Sequence, residues 1–166
     1  KEYYPENYLQ YEDYIGTYTA TVDDYDEGPT SQSVTITPKV RGESYTLKSI
    51  GGFNFTLLYD KASGKLILDS QSISPVSSSS YYFACAAGVE GYAHTELSLP
   101  SRLRSGLVNV TVKINPFTFY FADKASQENT SLIIWAYSSD EYSTSGLMGY
   151  WSWYNSILME KENEGN

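Results

Sequence analysis

The chain has 166 residues, eleven Lys or Arg against twenty Asp or Glu, a net charge of −9, and 16% aromatic residues dominated by seventeen tyrosines. That length fits one domain able to bury about 70% of the surface its unfolded form exposes. The acidic balance, with no basic cluster larger than Arg102-x-Arg104, excludes nucleic acid and anionic membrane faces as partners, and with no long apolar run for a transmembrane helix and no signal-peptide pattern in the opening residues a soluble piece is expected.

Residues 1–13, KEYYPENYLQYED, have no period. They read as an N-terminal spacer, or as a strip lying against the body of the protein through Tyr3, Tyr4, Tyr8 and Leu9. A single domain is expected over residues 14–161. Its first strand sets Gly16, Tyr18, Ala20 and Val22 against Thr17, Thr19 and Thr21 on the other face. The acidic stretch Asp23-Asp24-Tyr25-Asp26-Glu27-Gly28 offers the oxygen ligands a hard cation wants. It lacks a later bidentate Glu at EF-hand spacing and reads as a solvated hairpin turn. Val34, Ile36 and Val40 alternate with Ser33, Thr35, Thr37 and Lys39; Tyr45 and Leu47 follow, and Gly51-Gly52 turns the chain. Phe53, Phe55, Leu57 and Tyr59 then alternate with Asn54 and Thr56, a turn at residues 60–64 follows, and Leu66 and Leu68 continue the pattern. Beyond the serines at 77–80 come Tyr81, Phe83, Cys85 and Ala87. The lone Cys85 can form no internal disulfide and reads as a small buried hydrophobe. Val108, Val110, Val112 and Ile114 are expected on one inward face, leading through Asn115-Pro116 to Phe117, Phe119 and Phe121. Ile133, Trp135 and Tyr137 precede the last strand, and residues 162–166 read as a disordered tail.

Apolar residues thus recur at every second position, so the fold class is all-β: an antiparallel meander of about 8–10 strands closing into a β-barrel, with a two-sheet β-sandwich as the alternative. Three connections are long enough to carry a binding surface, residues 88–106, 123–130 and 138–149. In the last strand the two-residue period puts Trp151, Trp153, Asn155, Ile157 and Met159 on the apolar face and Tyr150, Ser152, Tyr154 and Ser156 on the other. The tryptophans then either fill one end of the core or, with Trp135 and Tyr137, flank an open mouth as stacking platforms. Trp135, Tyr137, Tyr150, Trp151, Trp153 and Tyr154 are therefore the candidate ligand-binding residues.

No catalytic constellation is spelled out. His94 is the one histidine, there is no second cysteine, and no Gly-x-Ser-x-Gly turn occurs. A two-carboxylate glycosidase is an alternative only by inventory, from Glu90, Glu96, Asp123, Glu128, Asp140 and Glu141. No metal and no cofactor are expected. The sequons at Asn54, Asn109 and Asn129 read as chance products of a Thr-rich β-sequence.

Ile15-Gly16-Thr17-Tyr18, Val34-Thr35-Ile36, Gly51-Gly52, Tyr59-Asp60, Gly64-Lys65-Leu66-Ile67-Leu68, Ser70-Gln71-x-Ile73 and the closing Gly149-Tyr150-Trp151-Ser152-Trp153-Tyr154 strand together resemble the β-meander domain of uncharacterised secreted lipoproteins of gut Bacteroidota, over most of residues 14–161. The resemblance implies export, a lipid anchor preceding the domain as the sole link to a membrane, and a place at the outer membrane among glycan-uptake or adhesion machinery. Gly16-Thr17-Tyr18 is also similar to the Gly-x-Trp opening of lipocalins, with Tyr in place of Trp, which implies a lipocalin-like (calycin-like) barrel. The expected function is a non-catalytic surface domain that binds a glycan or docks with a protein of an envelope assembly. Carriage of a small apolar ligand is the alternative.

Overall fold

The computed structural model describes residues 8–87 and 106–162. The protein is all-β, as its alternation requires. Eleven antiparallel strands are present among the described residues: β1 (Gly16–Asp24), β2 (Gly28–Val40), β3 (Ser44–Ile50), β4 (Phe53–Asp60), β5 (Lys65–Leu68), β6 (Gln71–Pro75), β7 (Tyr82–Ala87), β8 (Leu107–Ile114), β9 (Phe117–Asp123), β10 (Leu132–Tyr137) and β11 (Leu147–Lys161). β1 to β5 run as a meander, and β11 pairs back onto β1, so β1-β2-β3-β4-β5-β8-β9-β11 closes into a ring and its edges are satisfied.

Two strands change partner along their length. β4 pairs with β5 at Leu58, Tyr59 and Asp60 but with β6 at Phe53 and Asn54. β11 pairs with β9 at Leu158, Met159 and Glu160 but with β10 along Leu147–Tyr154. Between these forks β6, β7 and β10 form a second panel beside β5, β8 and β9. A fork strands main-chain polar groups, and side-chain amides supply the missing bonds. Gln71 accepts from Thr56 N–H (2.9 Å) and donates to Thr56 C=O (3.0 Å). Asn129 donates to Asn155 C=O (3.0 Å).

Tyr14, Tyr18, Tyr45, Phe55, Phe119 and Phe121 fill the interior of the ring. One end is shut by residues 8–14. Of the strip expected to lie against the body, Tyr8 and Leu9 do so, while Tyr3 and Tyr4 fall outside the described residues. Tyr11 stacks on Tyr45 at 4.3 Å and 12°, and Tyr14 is fully buried. Each phenol finds a main-chain carbonyl: Tyr11 donates to Ser44 (2.6 Å), Tyr45 to Tyr11 (2.9 Å), Tyr14 to Gly64 (2.7 Å), Tyr18 to Tyr14 (2.6 Å) and Tyr59 to Leu9 (2.6 Å). Gly64, at φ +71, lets Leu9 approach so closely that a Cβ there would lie 2.8 Å from the Leu9 carbonyl oxygen. Burial raises the phenol pKa values of Tyr14, Tyr18, Tyr45 and Tyr59 above the usual one. The expected boundary between spacer and domain at residue 13 thus falls inside this plug.

The strand β8 corrects one expectation. The row Val108, Val110, Val112 and Ile114 is not uniformly inward: Val108 is buried and Val110 half-buried, but Val112 and Ile114 are more than half exposed. The inward positions go to Leu107 and Asn109, opposite Asp123 and Phe121. Asn109 is buried because its carboxamide accepts from Leu66 N–H (2.7 Å) and donates to Tyr14 Oη (3.1 Å), so two interior polar groups are satisfied by one side chain. Cys85 is buried, and burial pushes its thiol up to about 12.

Candidate functional site

Opposite the plug lie the β1–β2 turn, the Gly51-Gly52 turn and the first half of β11. Here β11 departs from a plain two-residue period at three places. Val22 faces Ile157 and Asp24 faces Tyr154, so β11 holds an extra residue at Asn155-Ser156. Ile134 faces Ser152 and Trp135 faces Tyr150, which leaves Trp151 as the extra residue; Ala136 faces Gly149 and Tyr137 faces Leu147, which leaves Met148. Each bulge reverses the facing of what precedes it. Trp151 and Met148, the bulged residues, are 54% and 55% exposed.

The expected parity therefore holds from Ile157 onward and again at Tyr150, where a second reversal restores the outer face, but fails at Trp153 and Tyr154. Tyr154, expected on the outer face, is buried in the main core, and its hydroxyl sits where a Cβ on Gly51 would lie (1.9 Å). Trp153, expected inside, is half-buried on the outer face of the β7-β10-β11 panel, in a second cluster with Ala84, Ala86, Ile133, Trp135 and Tyr137. Trp135 and Tyr137 are themselves buried there, with Tyr142 set edge-on to Tyr137 at 5.2 Å. These two pack the panel and are not platforms. Burial raises the pKa values of Tyr137 and Tyr154.

Trp151 alone of the six turns its ring to the mouth. It meets Phe83 edge-on at 5.4 Å and Tyr81 at 6.3 Å, and Phe83 in turn packs on Phe53 at 4.8 Å, so an exposed indole stands on a buried aromatic base. On the outer face Trp153 lies against Tyr25 (5.3 Å, 32°) and Tyr150 (5.5 Å, 84°). Tyr25 N–H donates to Trp153 C=O (2.8 Å), Trp153 Nε1 donates to Ser131 Oγ (3.2 Å), and Tyr150 Oη donates to both Asp26 carboxylate oxygens (3.1 and 3.2 Å), a bond that raises the Tyr150 pKa. The six candidates thus divide into Trp151 at the mouth, Tyr150 and Trp153 on the outer rim, and Trp135, Tyr137 and Tyr154 in cores. Tyr25, Asp26 and Tyr81 join the site although the sequence reads the first two only as part of a solvated acidic turn and the third only as the start of a strand.

The acidic turn closes on itself. Asp24 Oδ1 accepts from Asp26 N–H (2.8 Å) and Glu27 N–H (3.1 Å), and Asp123 Oδ2 does the same for Ala125 (3.1 Å) and Ser126 (2.9 Å). Glu90, His94 and Glu96 lie outside the described residues. A separate open groove of about 520 Å³ beside the plug is lined by Val40, Arg41, Glu43, Leu58, Tyr59 and Lys61. Its Arg41 is engaged by Glu12 (2.6 Å).

Residues 1–135 match the model of a family described as a domain of unknown function. No curated protein and no solved structure matches the chain.

Proposed function

The chain belongs to the DUF4987 family, a domain of unknown function, and within it we propose that this protein is a non-catalytic binding domain that takes a glycan on the aromatic rings of its open end. The observation that carries the reading is Trp151: a large ring 54% exposed, presented by a bulge and braced by Phe83 and Tyr81. A flat ring held on a buried aromatic base offers the face on which a sugar ring stacks its C–H bonds. Tyr81 extends this surface on one side, and Tyr25 stands on the outer rim against Trp153. The filled ring interior favours binding on this outer surface over carriage of an apolar ligand inside. Placement at the cell surface, anchored to an outer membrane ahead of the domain, belongs to the same proposal and is supported by the resemblance to Bacteroidota lipoproteins.

Affinity electrophoresis through gels containing host and dietary polysaccharides tests the reading. Retardation by at least one neutral polysaccharide, lost in Trp151→Ala with the fold intact, is the expected result. Unretarded migration in every gel overturns it.

A further inference from the structure

The outer rim of the open end carries more than rings. Trp153 is flanked by Tyr25, 62% exposed, and by Tyr150, whose hydroxyl fixes the Asp26 carboxylate beside them. The carboxylate of Asp24 is turned inward onto its own hairpin by two N–H bonds, but Asp26 receives only the phenol. Neither Asp26 nor Glu27 has a cationic partner among the described residues. Six of the described cations, Lys39, Arg41, Lys61, Lys65, Lys113 and Lys161, stand instead around the plugged end, on or beside the turns that meet residues 8–14, while Lys48 on β3 and Lys124 after β9 lie toward the open end and pair with neither carboxylate. Asp140 and Glu141, in the connection that brings Tyr142 onto the second cluster, add further negative charge on the aromatic side of the molecule.

An aromatic face beside a fixed carboxylate is the arrangement that recognises an ammonium group. The ring quadrupoles attract the cation, the carboxylate pairs with it, and the surrounding field repels anions. Resting on the glycan reading above, we propose that the Tyr25, Trp153 and Tyr150 rings with Asp26 form an amine subsite, so that the glycan bound at the open end is an amino sugar with free, protonated amines. Uronate-bearing and sulfated glycans are excluded by the same field.

The test uses glucosamine oligosaccharides and their fully N-acetylated counterparts of equal length, titrated by calorimetry into the wild type and into Asp26→Asn, Tyr25→Ala and, as a control of equal charge change at the plugged end, Glu160→Gln. The amine form is expected to bind about tenfold more tightly than the acetylated form. Raised salt and Asp26→Asn should each abolish most of that preference and Tyr25→Ala should reduce it, while Glu160→Gln leaves it unchanged. Equal binding of the two forms overturns the amine subsite and leaves the glycan reading standing. A preference that survives in Asp26→Asn, or falls as far in Glu160→Gln, also overturns it. Binding of a lysine-rich peptide with no response to either sugar overturns both readings in favour of a basic protein partner.

Discussion

Trp151 and Trp135 are the same residue type on neighbouring strands, and they behave oppositely because one is the extra residue of a bulge and the other pairs directly with Ala84 and Tyr150. Replacing Trp151 with Ala should cost only about 1–2 kcal/mol, since half of the ring already faces solvent and what is lost is its packing on Phe83 and Tyr81. Trp135→Ala should cost about 3–5 kcal/mol, because a nearly inaccessible indole leaves a cavity in the second cluster on the outer face of the panel. Urea unfolding of the two variants measures the contrast; equal losses would contradict the assignment of faces. Asn109 shows why residue-scale chemistry outruns pattern. A run reading Val-Asn-Val-Thr-Val-Lys-Ile looks like three valines facing a core, yet the buried partner of Tyr14 and Leu66 has to be polar, so the carboxamide goes in, and of the three valines only Val108 is buried. Hydrophobic alternation states that two faces differ. It does not state which is wet once a single buried hydrogen-bonding group decides the register.

At the scale of elements, the strands themselves were legible, because Tyr18, Val34, Phe55, Leu66 and Phe119 mark a two-residue period that survives into the fold. Gln71–Pro75 escaped as an unannounced strand: it has one apolar residue, Ile73, and its chief contribution is the Gln71 carboxamide lodged at the fork of β4. Gln71→Ala should cost about 1–3 kcal/mol, the penalty for leaving a half-buried N–H and C=O of Thr56 without partners. Chemical unfolding reads the loss, and Gln71→Glu, which keeps only the acceptor, should recover part of it. The bulges of β11 were hidden for a different reason. Each inserts a residue without altering composition, so Gly149-Tyr150-Trp151-Ser152-Trp153-Tyr154 reads as one continuous alternation although its facing reverses more than once. Deleting Ser156 removes the reversal beside Tyr154. The variant is expected to lose near-ultraviolet dichroism, because either Tyr154 or the Ile157 and Met159 pair must then leave the core.

The whole molecule is lopsided, with a tyrosine-sealed end and an open aromatic end. Sealing makes its stability depend on pH in a calculable direction. The phenols of Tyr14 and Tyr18 have folded pKa values above the usual value of about 10, so below that pH they are neutral whether the chain is folded or not, and their contribution is complete. As pH rises past about 10 the unfolded chain releases these protons and the folded one does not. Stability then falls by about 1.4 kcal/mol per pH unit for each such phenol. Tyrosinate absorbance should accordingly rise for the plug tyrosines in one step with loss of structure; independent ionisation near pH 10 in a protein that stays folded would show the plug to be loosely seated. The partner changes on β4 and β11 carry a separate consequence. Since β1-β2-β3-β4-β5-β8-β9-β11 is complete without β6, β7 and β10, those three strands can peel away while the circuit around them stays shut. Their amides should exchange with solvent through a cheaper excursion than those of β1 to β3, and the indole at the mouth, carried on β11, would lose its support from Phe83 of β7. On the proposed reading, a ligand at the mouth would rest on a ring whose footing is the part of the protein most ready to open.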